Sequence, residues 1–284
     1  MHAMSLSHVV FGALMSTALW VMPVSAYVLV TTEDGTPAHW ETTCVPWSIN
    51  ARGSEDVDDL QVQEAMQTAF DTWEATQSHY VSFQYRGATC VDTVGFVPWM
   101  DTYNVVLWRD DVQQWPYAER VVGLTSVTLD AVTGVIADAD IEWNGIDYEF
   151  SIGGSPESYD LQAAATHEVG HLLGLGHSEN PNATMWKKSK EGEVNKRQLH
   201  SDDIAGVSAS HPLVVDLPTD ACEREWIVGS WDEPDCPEEP EDEIKTGWIG
   251  CSSTQTPWRG AWPLVVCLAA LHLRSVRRRH ARCM

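Results

Sequence analysis

His167-Glu168-Val169-Gly170-His171-Leu172-Leu173-Gly174-Leu175-Gly176-His177 fits the pattern H-E-x-x-H-x-x-G-x-x-H at every fixed position. Residues four apart share one face of a helix, so His167 and His171 can each aim a ring nitrogen at one ion. Glu168 is one residue on, about 100° around the axis. From there it can reach a water beside the ion without being a ligand. Gly174 stops the helix, because glycine accepts the left-handed backbone that closes a helix end. The chain then turns and brings in His177 as a third ligand. Three protein ligands leave zinc an open position, which is the arrangement of a catalytic site. The five-residue core of this pattern also occurs on ordinary helices, as polar residues on a solvated face. Gly174 and His177 at fixed offsets sharply reduce that reading.

Outward from this segment, the hydrophobic periods predict a helix at 161–173 and another at 202–210. Toward the N-terminus, Val45, Trp47 and Ile49 alternate in a first strand, Cys44 to Asn50. Val57 to Gln77 carries Leu60, Ala65, Ala69, Phe70 and Trp73 near the 3.6-residue period and reads as a helix. Val81 to Tyr85 alternates, and Asn104 to Trp108 reads as a buried strand. Gly123 to Leu129 and Ile136 to Trp143 form a strand pair across the turn Asp130-Ala131-Val132-Thr133-Gly134. Asp138, Asp140 and Glu142 stand at alternate positions of the second of these strands. They could hold Ca²⁺ through oxygen ligands or form a solvated strand face. Ser201, followed by two aspartates, is a good helix start: a capping hydroxyl, then negative charge on the positive end of the dipole.

The chain has 284 residues, 44% of them hydrophobic, enough for one sizeable domain plus extensions. A net charge of −24 argues against nucleic-acid partners, whose phosphates need basic patches. Residues 1–26 read as an export signal: an apolar run at 9–22, too short to span a membrane, then Val24-Ser25-Ala26 with a small residue at the cleavage position. The mature chain then starts at Tyr27. Its seven cysteines suggest disulfides in an exported protein. Cys44 with Cys90, and Cys222 with Cys236, are the natural pairs along the sequence. Residues 216–247 form an acidic linker with twelve Asp or Glu against two Lys or Arg, a self-repelling composition. Beyond it come Cys251 among small residues, an apolar run from Trp262 to Leu273, and Arg274, Arg277, Arg278, Arg279 and Arg282.

The histidine pattern is the metzincin signature. Met185, eight residues after His177 in Asn182-Ala183-Thr184-Met185-Trp186, resembles the Met-turn of the matrixins, and Ser178 and Leu199 to Val207 also fit that family. The resemblance covers about residues 38–212. It implies an α+β, zincin-like fold: a twisted mixed sheet, an active-site helix, a Met-turn and a C-terminal helix. It implies a catalytic domain at 27–215 that hydrolyses peptide bonds in proteins or peptides as a monomer. In it Zn²⁺ sits on His167, His171 and His177, Glu168 is the general base and Met185 supports the site from below. In matrixins an edge strand above the zinc holds the substrate extended, and Gly123–Leu129 takes that place here. Departures are the absence of a zinc-blocking cysteine segment ahead of the domain and of a histidine-rich loop for a second zinc. Residues 248–284 resemble a myxobacterial-type C-terminal sorting signal, in which the apolar run enters the inner membrane, the arginines stay cytoplasmic and the tail is cut near Cys251; the alternative is an uncut tail anchor, for which the run is short. The expected location is therefore the cell surface, the outer envelope or the medium. The alternative to an enzyme is a catalytically silent surface binding or adhesion module on the same scaffold. Intact Glu168 counts against it.

Overall fold

Cys44–Asn50 forms a strand because its alternate apolar residues have a core to meet. Val45, Trp47 and Ile49 are buried to 1% exposure or less. The computed structural model describes residues 26–96, 104–111, 113–118, 120–213, 222 and 236, and the backbone of 264–271. In chain order the strands are β1 (Val28–Leu29), β2 (Cys44–Asn50), β3 (Ser82–Thr89), β4 (Asn104–Arg109), β5 (Val121–Leu129) and β6 (Ile136–Asn144). They continue with β7 (Phe150–Ser151), β8 (Tyr159–Asp160), β9 (Leu175–Gly176) and β10 (Leu264–Leu271). The helices are α1 (Asp59–Glu74), α2 (Leu161–Leu172) and α3 (Ser201–Ser210).

Six strands make one mixed sheet in the order β10-β5-β6-β4-β2-β3. The pairs from β3 to β6 are parallel; β5 and β10 are antiparallel to their neighbours. The β5–β6 hairpin turns through Asp130, whose carboxylate accepts the amides of Val132 and Thr133, and through Gly134 at φ 76°.

Helix α1 starts on Asp58, whose side chain accepts the Leu60 amide. Its inner face is Val62, Ala65, Met66, Ala69, Phe70 and Trp73. Leu60, expected in that stripe, is 47% exposed. At about 100° per residue it turns away from that stripe, onto the side that carries Glu64 and Asp71. Phe70 stacks on Trp47 with ring centroids 4.3 Å apart. The Trp73 indole N–H donates to the Thr166 carbonyl at 2.8 Å, tying α1 to α2. Helix α3 is capped by His200 rather than Ser201: the His200 ring accepts the Asp202 amide, and the Asp203 carboxylate accepts the His200 amide. The short side chain of Ser201 falls inside the first turn, one residue past the capping position.

The disulfides differ from the pairing expected along the sequence. They join Cys44 to Cys222 and Cys90 to Cys236, with Cα atoms 5.0 and 5.4 Å apart. The reason is strand direction. β2 and β3 run parallel with Cys44 beside Ser82 and Asn50 beside Thr89. Cys44 and Cys90 therefore lie at opposite ends of the pair, roughly 20 Å apart at the strand rise, and a bridge needs Cα atoms within about 7 Å. Within the segment expected to be a linker, the two described residues, Cys222 and Cys236, are both fastened to this edge of the sheet. The expected export signal up to Ser25, Cys251 and the terminal arginines lie outside the described residues.

The apolar run expected to enter a membrane is, over Leu264–Leu271, the strand β10 on β5. Among the described residues no helix is long and apolar enough to cross a membrane. Its β-branched and aliphatic residues suit an extended chain, and β5 offers it a full row of main-chain partners.

Candidate metal centre

Helix α2 is held at both ends. The Asp160 carboxylate caps its start by accepting the Ala163 amide at 2.9 Å, and the same carboxylate pairs with the Arg197 guanidinium at 2.8 and 2.5 Å. Burial alone would raise the Asp160 pKa; the Arg197 bonds and the cap outweigh it and hold the carboxyl below its usual value. At the other end Gly174 takes φ 78°, and a Cβ there would lie 2.8 Å from the Ala38 carbonyl. Only glycine fits that reversal, which sends the chain into β9 and delivers His177.

His167, His171 and His177 converge, with one nitrogen from each ring within 4.8 Å of the others. Ring centroids are 4.8 to 5.3 Å apart. The His167 Nδ1 lies 2.6 Å from the Thr184 carbonyl and the His171 Nδ1 2.7 Å from the Leu175 carbonyl. A carbonyl can only accept, so both Nδ1 atoms carry the proton and both Nε2 atoms present a lone pair. All three Nε2 atoms are buried with no hydrogen-bond partner. Two other buried histidines show the contrast. His79 and His211 engage both ring nitrogens with protein groups. Buried polar atoms are almost always partnered, so three orphaned ring nitrogens gathered within 4.8 Å of one another fit a metal ion. Burial lowers the pKa of all three, that of His171 to about 3 and that of His177 to about 4, so the rings are neutral donors at neutral pH.

Glu168 is also buried, at 3% exposure, on the side of α2 that faces β5. The Thr125 hydroxyl donates to its Oε2 at 2.7 Å. Burial raises its pKa to about 7, against the lowering effects of the Thr125 bond and the Lys196 charge. Gly123 lies beside the same carboxylate: a Cβ there would be 2.7 Å from the Trp143 ring and 3.3 Å from Glu168 Oε1. A small pocket bounded by Val122, Gly123, Trp143, Tyr159, Ala164 and Ser189 opens against His167 and Glu168.

Met185 is 1% exposed and packs under α2. A Cβ on Gly170 would come within 2.2 Å of its sulfur and 2.7 Å of the Trp73 ring. The Asp203 carboxylate accepts the amides of Thr184 and Met185 at 2.8 and 3.0 Å, which fixes the segment whose carbonyl orients His167. In the sequence Asp203 reads as favourable helix charge and as part of the stretch that resembles the last matrixin helix. Lys196 was not visible there at all. It is 5% exposed, donates to the Trp186 carbonyl and lies 3.4 Å from His167 Nδ1, with burial lowering its pKa to about 8. Nothing in its local sequence separates it from a surface lysine.

The acidic triplet on β6 is buried rather than solvated, each residue at 2% exposure or less. Glu142 bonds Arg109 and Tyr117, and Asp140 accepts the amides of Gly95 and Val105. Asp138 keeps one oxygen unpartnered. Among the described residues only the three histidines converge as a ligand set.

The matrixin family model matches residues 39–211. This chain belongs to the matrixin family. Its mixed sheet with few helices agrees with an α+β metzincin-like fold, and the family implies zinc at the histidine cluster. A stretch of 79 residues is 42% identical to Metalloendoproteinase 1-MMP of Arabidopsis thaliana, covering 28% of this chain and 19% of that protein. Human matrilysin is 44% identical over 54 residues, 19% of this matrixin and 20% of the relative. Human neutrophil collagenase is 25% identical over 181 residues, 61% of this chain and 33% of the collagenase. The chain thus spans between a fifth and a third of the length of these relatives.

Proposed function

We propose that this matrixin is an exported zinc-dependent endopeptidase. The observation that carries the reading is the set of three buried, unpartnered imidazole nitrogens beside a buried carboxylate of raised pKa. His167, His171 and His177 would hold the ion. Zinc, when bound, supplies acidity to the attacking water and polarises the scissile carbonyl. Glu168, held by Thr125, accepts the water proton and delivers it to the departing amine. Its pKa near neutrality suits both halves of that transfer. Met185, pressed between α2 and the segment held by Asp203, keeps the helix at a fixed height. Protein or peptide substrates would lie extended against β5. A silent binding module would have no use for a carboxylate buried in this position.

Two disulfides in the described chain favour an oxidising compartment, in line with the export signal at 1–26. The segment beginning near Trp248, with Cys251, is the candidate for envelope attachment.

The test is the full chain with Glu168→Gln. Zinc content by metal analysis should match the parent, because Glu168 is not a ligand. Cleavage of casein should fall by about 10²–10⁴-fold, the usual contribution of a general base. A variant that cleaves as fast as its parent ends this reading. His177→Ala should lose zinc and activity together.

A further inference from the structure

β5 borders the candidate active site, and its outer edge is occupied. β10 runs antiparallel along it, from Leu264 opposite Leu129 to Ala269 opposite Leu124, with a register shift before Leu271 meets Val121. With β6 on one side and β10 on the other, all nine residues of β5 are buried. This is the strand whose Thr125 bonds Glu168 and whose Gly123 lies beside it. In β10, Leu268 stands opposite Thr125, and the register shift falls beside Gly123.

A strand edge offers one row of main-chain donors and acceptors, and a peptide that adds to the sheet uses that same row. Two strands cannot hold it at once. We propose that Leu264–Leu271 is a built-in occupant of the peptide-binding edge of β5, so that the full chain keeps its own substrate groove closed. This rests on the peptidase reading above. It gives the chain a source of latency that lies after the catalytic domain in sequence. The occupant, Leu-Val-Val-Cys-Leu-Ala-Ala-Leu, is uncharged and free of proline, as a docked strand requires. The same segment cannot lie in a membrane and on β5 together. Insertion of the tail into a membrane, or its removal, opens the groove.

The test uses the full chain with the paired substitution Cys267→Pro and Leu268→Pro. Adjacent residues of a strand turn their amides to opposite sides, so one of the two prolines removes a bond to β5 in either phase. A competing intramolecular strand raises apparent KM and leaves kcat alone. The proline variant should therefore show a KM for a quenched fluorogenic peptide lower by about tenfold or more, given millimolar effective concentrations for tethered segments. Its kcat and zinc content should be unchanged. A second variant reads the pairing without activity. Cys267 lies opposite Ser126, and opposite residues in an antiparallel pair are within disulfide reach. Ser126→Cys in the full chain should form a bridge to Cys267, found by peptide mapping. Equal KM in the parent and the proline variant overturns the proposal, as does the absence of that bridge. If the bridge forms but zinc-loaded chains cleave nothing with either tail, the peptidase reading fails and the strand placement stands.

Discussion

The two edges of the sheet are closed in different ways. At β3 the edge residues are mostly half-exposed, and the closure is covalent: Cys44 at the start of β2 and Cys90 just past β3 each hold a cysteine from the acidic segment. At β5 every residue is buried, yet the closure is a ladder of main-chain pairs to β10. A disulfide does not exchange with a peptide; a ladder does. The locked edge lies away from the metal centre, and the exchangeable edge lies against Glu168. Under the proposed function, permanence is on the side that builds the scaffold, and reversibility on the side that would do the chemistry.

The largest change should come from Trp73→Ala, which removes support common to both edges. Trp73 is fully buried, touches the α2 helix beside Gly170 and anchors the Thr166 carbonyl. A loss of about 3–5 kcal/mol in urea unfolding is expected, with weaker zinc retention. If zinc affinity is untouched, α2 is not held by this packing.

Breaking only the locked edge should separate stability from catalysis. Cys44→Ser with Cys222→Ser should cost about 2–5 kcal/mol of stability. KM and kcat measured well below the melting temperature should stay at the parent values. A changed KM would mean that this edge communicates with the groove.

Thr125→Val acts on the other edge, in the opposite sense. It removes the hydroxyl that holds Glu168 while keeping the shape of the side chain. Hydrogen bonds to charged groups contribute about 1.5–3 kcal/mol, so kcat/KM should fall by about 10- to 100-fold with zinc content retained. Little change in kcat/KM would show that Glu168 is positioned by the helix alone.

The smallest effect concerns β6, between the two edges. Burial, then the neighbouring Asp140 charge, raises the Asp138 pKa in the folded state. A raised carboxylate pKa gives stability that is complete below the unfolded value of 3.8 and lost as pH rises through the folded value. Asp138→Asn removes that loss. Its melting temperature should exceed the parent's by a margin that grows from about pH 5 to about pH 8. A margin independent of pH would contradict burial of a titrating carboxyl. A calcium-dependent rise seen only in the parent would make Asp138 an ion ligand.

The convergence of His167, His171 and His177 was legible in the sequence because its geometry is local. The spacing of His167, Glu168 and His171 is fixed by one helix, and Gly174 and His177 by one turn. The strand β2 was legible from alternation and was read to the residue, and β5 and β6 were legible as a pair across the turn Asp130–Gly134. What stayed hidden was non-local. Cys44 and Cys90 look like partners until the parallel pairing of β2 and β3 separates them. The run from Trp262 reads as a membrane segment by hydropathy, since burial in lipid and burial against β5 ask for the same residues. Lys196 and Asp203 gained their roles from segments folded against them, which no local pattern encodes.

The convergence of three imidazoles also ties folding to the surroundings by mass action. Each of the three buried Nε2 atoms lacks a protein partner, which costs about 1–3 kcal/mol per group where nothing else meets it. An ion that binds the folded chain and not the unfolded one reverses that, adding about 4 kcal/mol at a thousand times its dissociation constant. The melting temperature of this domain would then follow free zinc as a titration curve. A chain moving between zinc-poor and zinc-rich surroundings would carry a different resistance to unfolding in each, with no change in its covalent structure.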